Sequence, residues 1–401
     1  MITRWQVAAG TSIGLAVGWG PFFVLSFGLF QKPIITELHW SRAEFSLGFS
    51  VATVIAALVT TAIGALADRY GVKKVTLAGT LVFPFVFASF SLMHSYGAYL
   101  VCAAVLGIVG PWTSYPAYLP ILPIWFKRNL GAAFAIASSG IGIGTAAASI
   151  LAGLLMAHFG WRSAIAAMAA LLLVLGVTNV VLMLPDQAAA GVTAPAANVQ
   201  KFEIDSTGLS FRQAIRTGTF WKLSIGFALV TVVGIGVNFH FAALLTDRGF
   251  SPLHAAEVAS LIGTSILFAR LITGVLLDYF PLRVIAPAII VGQAVSVLLL
   301  AGGWRGATPY VAACLTGITI GGEGNLMPYA FSHQFGVKAY GKIYGFAFLF
   351  FNLGTLAGPL LLGAVFAQEG TYAPGLVGFA GLSAAAAALI FFSGNARRSA
   401  V

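Results

Sequence analysis

Twelve stretches of about 20 or more mostly apolar residues follow one another along this chain. They lie at 5–29, 45–67, 75–95, 98–126, 130–157, 162–184, 219–245, 254–277, 284–303, 308–331, 342–367 and 373–393. About 20 such residues are what a helix needs to cross a hydrocarbon core of roughly 30 Å. Charge is scarce to match: lysine and arginine number 21 and aspartate and glutamate 11, so 8% of the 401 residues are charged. Soluble domains carry roughly 25%. So few charges cannot clothe a soluble surface of this size. Disorder is excluded by 59% hydrophobic residues, and a disulfide scaffold by two cysteines. Runs such as Ala164–Leu184 are continuously apolar, unlike the alternating strands of an outer-membrane barrel. The expected fold is an all-α membrane protein of twelve transmembrane helices, spans one to twelve in that order.

The first span follows Arg4 but is too long for the apolar core of a signal peptide, and it is read as the first helix. Placing the N-terminus in the cytoplasm and alternating sides puts 15 lysines and arginines on the inner side and five on the outer: Lys32, Arg42, Arg162, Arg248 and Arg305. That bias predicts an inner-membrane protein with both termini cytoplasmic. It also accounts for the net charge of +10. The charge reflects topology and attraction to anionic lipid, and no basic run interleaved with aromatics suggests nucleic acid.

The longest polar stretch, 185–218, falls between spans six and seven and is expected to be a cytoplasmic linker. It divides the chain into six-helix bundles at 1–184 and 219–401. The halves repeat at one offset. Ser41 recurs as Ser251, Gly64 as Gly274, Asp68 as Asp278, Gly131 as Gly341 and Gly144 as Gly354, each 210 apart. Five matches at corresponding places indicate duplication. Parallel six-helix repeats put a substrate path at their interface. The glycines at 131, 144, 341 and 354 are expected to serve close helix packing. Cys102 and Cys314 lie inside spans four and ten and read as packing residues.

Between spans two and three stands Gly64-Ala-Leu-Ala-Asp68-Arg69-Tyr-Gly71-Val-Lys73-Lys74. Asp68 ends a helix where a neighbouring helix N-terminus favours a carboxylate, and Arg69, Lys73 and Lys74 add ion pairs. With Asp278 in the second copy, these residues can latch one conformation of a rocking transporter. The string resembles the loop signature of the major facilitator superfamily. Phe27-Gly-Leu-Phe-Gln-Lys-Pro33, Trp125-Phe-Lys-Arg-Asn-Leu-Gly131 and Gly321-Gly-Glu323-Gly324 resemble its monocarboxylate and oxalate–formate branches. The resemblance implies a bacterial-type secondary transporter. Span five contains no proline, unlike the superfamily's drug–proton antiporters.

Two charges sit well inside spans, where each costs at least about 2.5–3.5 kcal/mol. Arg270 lies eight residues before Asp278 on span eight, and Glu323 eight before Phe331 on span ten. At 1.5 Å per residue both are about 12 Å from the same end, so they can meet. In one reading they form a buried structural pair. In the other, Arg270 binds a substrate carboxylate through its planar fork of donors, while Glu323 competes for the arginine or carries a proton. Monocarboxylate transporters resemble this chain in their span-eight arginine. Their aspartate four residues earlier corresponds to Ile266, and a lysine of span one falls near Leu25. A single central arginine favours a monoanion over a dianion.

Neutral candidates for substrate contact are Asn238 and His240 on span seven, Tyr115 and Tyr118 on the proline-broken span four, Trp19 on span one and Asn352 on span eleven. Nothing resembles a nucleotide loop, a metal cluster or a nucleophile–base pair, so no enzyme activity, cofactor or metal is expected. The expected protein is a monomer that moves a small organic anion, together with protons or against a counter-anion. The alternatives are export of a hydrophobic compound and a transporter-like carboxylate sensor.

Overall fold

A computed structural model describes residues 3–126, 130–185, 208–302, 306–336 and 339–393. Within these stretches the side chains at 61, 64, 65, 68, 69, 123, 124, 130–132, 278 and 340–342 are not described. Among the described residues, ten helices are long and apolar enough to cross a membrane. One of them, Ala133–Met183, runs for 51 residues, more than twice what a bilayer needs. It breaks at Gly160, whose φ of 76° leaves the helical region, and so contains spans five and six. Span ten, Thr308–Phe335, is a further continuous helix of 28 residues, made less apolar by Gly321-Gly-Glu323-Gly-Asn325. The chain therefore has the twelve spans that its sequence predicts.

Two compact units divide the chain. One comprises Met1–Ala194 with Asn238–Leu267, the other Pro195–Val237 with Phe268–Val401.

In the first unit, span one is broken. Thr3 and Gln6 form a capping box at the start of Arg4–Ala16. A π-helical turn at Gly20–Leu25 and a 3-10 turn at Phe27–Phe30 follow, before Gln31–Leu38. Span four breaks opposite it. The helix Tyr96–Val109 gives way to 3-10 turns at Gly110–Thr113 and Leu119–Ile121 and single helical turns at Tyr115–Tyr118 and Leu122–Trp125. Prolines 111, 116, 120 and 123 open these turns, because proline lacks the N–H that continues a helix. The two breaks fit together. The Trp19 N–H donates to Thr113 Oγ1 at 3.0 Å, and the Trp19 ring fills the place a Cβ on Gly110 would take. Irregular backbone at membrane depth is tolerated where protein groups satisfy it in this way.

Spans two and three, Arg42–Tyr70 and Val72–Ser89, are joined by Gly71 alone, at φ 92°. Ser41 and Glu44 cap span two reciprocally, at 3.1 and 2.7 Å. Ser251 caps span eight through the His254 N–H at 3.2 Å. The residue two before each serine, His39 at φ 57° and Gly249 at φ 92°, has a positive φ.

In the second unit, Phe220, Phe227, Ile290, Phe331, Phe335 and Ile390 pack into one core. Polar groups tie its helices together. Gln293 of span nine donates to the Val230 carbonyl at 3.0 Å and accepts from Ser383 of span twelve at 3.3 Å. Part of the expected linker is described. Residues 186–207 lie outside the described residues, but Leu209 N–H donates to the Phe335 carbonyl at 2.9 Å. Ser210 and Gln213 then cap a short helix, Phe211–Ile215. Among the packing glycines, a Cβ on Gly144 would meet the Ala16 carbonyl, and one on Gly354 the Ala228 carbonyl. Gly131 and Gly341 lie outside the described side chains.

Candidate functional site

The polar segment of span ten governs the second unit. Consecutive helical residues turn by roughly 100°, so three in a row face three ways. Glu323 faces span seven. It is 5% exposed, and its Oε1 lies 2.6 Å from Thr231 Oγ1. Gly324 faces span eight, where a Cβ would stand 3.3 Å from Arg270 Nη2 and 3.4 Å from Cζ. The half-buried guanidinium thus rests on bare backbone. Asn325 donates from Nδ2 to the Arg270 carbonyl at 2.6 Å. Gly274 lies one turn further along span eight, where a Cβ would stand in ordinary contact, 3.8 Å from that amide nitrogen.

The sequence leaves open whether Arg270 and Glu323 pair. Among the described residues no ion pair joins them. Equal height does not bring two groups together when they leave their helices in different directions. Arg270 lies against Gly324, and Glu323 turns to the hydroxyl of Thr231. Asn352, the span-eleven candidate, is half-buried and turns its amide back to the Phe348 carbonyl at 3.0 Å.

In the first unit, four neutral candidates have the following surroundings. Tyr118 is fully buried, its ring where a Cβ on Gly14 would go. Trp19 is 8% exposed and stacks on Phe23 at 4.7 Å. Asn238 donates to the Leu25 carbonyl at 2.9 Å, a group that the end of the π-turn releases from the helical ladder. His240 has no exposed surface. Its Nδ1 lies 3.0 Å from Gln31 Oε1 and its Nε2 3.3 Å from Ser46 Oγ. Beyond it, Asp247 bridges Lys32 at 3.2 Å and Arg42 at 2.5 Å. Tyr115 is half-buried beside the core of this unit.

The twelve spans, the two broken ones and the repeated serine caps frame a sequence match. Residues 11–359 match the profile of the Major Facilitator Superfamily. The chain belongs to that superfamily. It is a multi-pass membrane transporter. Monocarboxylate transporter 13 of Bos taurus is 25% identical over 383 residues, 93% of this chain and 85% of its own length. The nitrite extrusion protein of Bacillus subtilis (strain 168) is 25% identical over 402 residues, 97% of this chain and 93% of its own. Among solved structures, a bacterial homologue of the human lysosomal transporter Spinster, inward-facing and unoccupied, superposes with a TM-score of 0.76 at 17% identity. The match covers 99% of this chain and 98% of that one. At that identity the likeness speaks for the fold.

The superfamily signature acquires a physical reason at Gly71. A junction of one residue between two helices needs the positive φ that glycine adopts without strain. In the second half the matching residue is Pro281 at φ −67°, which opens span nine without a left-handed residue. Lys73 is half-buried and Lys74 exposed. The side chains of Gly64, Asp68, Arg69 and Asp278 lie outside the described ones. Sequence reasoning missed Thr231, although it is the one hydroxyl in the apolar run 225–237. It also missed Gln31, Ser46 and Asp247, which only the packing of 238–247 brings into play.

Proposed function

We propose that this transporter carries a small organic monoanion, a monocarboxylate, by alternating access, with Arg270 holding the carboxylate. The observation that carries the reading is the seat of Arg270: a half-buried guanidinium in a membrane span, laid on the backbone at Gly324 while Glu323 is engaged by Thr231. A fixed arginine fork suits a planar carboxylate. Two relatives support the charge class, since their names refer to monocarboxylate and to nitrite, both small monovalent anions. Export of a hydrophobic compound relied on an Arg270–Glu323 structural pair, and that contact is replaced by Glu323–Thr231. The distribution of lysine and arginine supports an inner-membrane protein with both termini in the cytoplasm. The Gly64–Lys74 segment and Asp278 are assigned the conformational latch.

The test is uptake of labelled formate, acetate, pyruvate and lactate into proteoliposomes. Wild type takes up at least one of them, and Arg270→Ala loses that uptake while still reconstituting. Uptake by Arg270→Ala at the wild-type rate would falsify the assignment.

A further inference from the structure

We propose that Glu323 and Thr231 form a proton-binding site, separate from the seat of Arg270, and that Glu323 holds a proton in this conformation. The hydrogen count at Thr231 supports it. Its hydroxyl carries one hydrogen and has two acceptors in reach, the Phe227 carbonyl at 2.9 Å and Glu323 Oε1 at 2.6 Å. With Glu323 protonated, the carboxyl donates to Thr231 Oγ1, and Thr231 passes its own hydrogen to Phe227. Every hydrogen then has an acceptor. With Glu323 ionised, that single hydrogen is, among the described residues, the sole donor to a carboxylate that is 5% exposed inside a span. A buried charge is normally paired with an opposite charge or supplied with several hydrogen bonds.

The surrounding helices do not supply that compensation. Span seven presents Thr231, and behind it Gln293 of span nine bonds the Val230 carbonyl. Span nine also presents Ile289 beside Gly322, and span eight presents Thr273 there. Span eight also carries the cation Arg270, whose guanidinium lies against Gly324. Span eleven meets span ten through Tyr344, which packs on Phe331, eight residues or about 12 Å along the helix from Glu323.

A consequence for transport follows, and this part alone rests on the anion reading above. Proton and anion occupy separate groups, so the proton on Glu323 can travel with a monoanion on Arg270 and leave no net charge moved.

Infrared spectroscopy of the purified protein in lipid nanodiscs at neutral pH tests the site without any substrate. The carbonyl stretch of a protonated, buried carboxyl group is expected in wild type, lost in Glu323→Gln, and shifted in Thr231→Val. A neutral-pH spectrum that is the same in wild type and Glu323→Gln overturns the site. Proteoliposomes with labelled lactate test the coupling. Glu323→Gln is expected to lose the acceleration that an inward proton gradient gives wild type. Acceleration of Glu323→Gln equal to wild type overturns the coupling. If wild type transports none of the four carboxylates, the anion reading fails, and the infrared result still decides the proton site.

Discussion

Substituting Gly324 by alanine should weaken anion binding without weakening the fold. The added methyl would stand 3.3 Å from Arg270 Nη2 and 3.4 Å from Cζ, at or inside the 3.4–4 Å of ordinary contact. The guanidinium must therefore retreat by a few tenths of an ångström, and a long half-buried side chain can do so. Hydrogen bonds between charged groups have a narrow optimum near 2.7–2.9 Å and contribute about 1.5–3 kcal/mol each. Losing roughly a third of two such bonds costs about 1–2 kcal/mol, or roughly 5- to 30-fold in affinity. The helix itself gains, since alanine is favoured over glycine by roughly 0.5–1 kcal/mol. The concentration dependence of carboxylate uptake into proteoliposomes gives KM, and thermal unfolding in detergent gives Tm. The expected signature is a raised KM with Tm equal to or above wild type. An unchanged KM would show that the anion does not meet the guanidinium seated at Gly324. A raised KM with a large fall in Tm would show that the methyl disrupts the helix pair.

Asn238→Ala should leave the Leu25 carbonyl without its donor and cost about 1–3 kcal/mol, lowering Tm while KM stays at the wild-type value; a raised KM with unchanged Tm would restore Asn238 as a substrate contact. The Glu37 carboxyl is held below its ordinary value of 4.5, first by the Trp161 Nε1–H hydrogen bond, against an opposing burial effect, and then by Arg162. A lowered carboxyl stabilises the folded state above the ordinary value and loses that contribution as pH falls through the folded one. Wild type should therefore melt above Glu37→Gln at neutral pH and match it in acid, and a gap that persists in acid would contradict the ion-pair reading. A Cβ on Gly142 would stand 2.6 Å from the Leu267 nitrogen, whereas one on Gly378 meets nothing within 4 Å. Gly142→Ala should thus lower Tm, by about 1–3 kcal/mol of overpacking, and Gly378→Ala should not; equal effects would remove the close helix crossing at Gly142.

Reading the sequence works best where one residue's own chemistry decides. Ser41 and Ser251 cap helices because a hydroxyl at that place accepts a free N–H. The four prolines of span four break it because they lack an N–H. The break in span one was not legible, since Gly20–Leu25 contains no more than one proline and a helix was an equally good reading of its apolar run. Neutral polar residues were least legible. Asn238, His240 and Tyr118 resemble substrate contacts by position alone. Which carbonyl, amide or glycine stands opposite each of them is set by another helix.

Composition and spacing alone determined that this chain crosses a membrane twelve times and that it carries the superfamily's loop signature. Those properties follow from the length of apolar runs and from local turn chemistry, which need no knowledge of neighbours. The sequence also placed Arg270 and Glu323 at one depth, because depth is a count of residues along a helix. Only the tertiary structure decided that they do not pair. Direction around a helix matters as much as height along it, and the packing of spans seven, eight and ten turned Glu323 to Thr231 and left Arg270 on the bare backbone of Gly324.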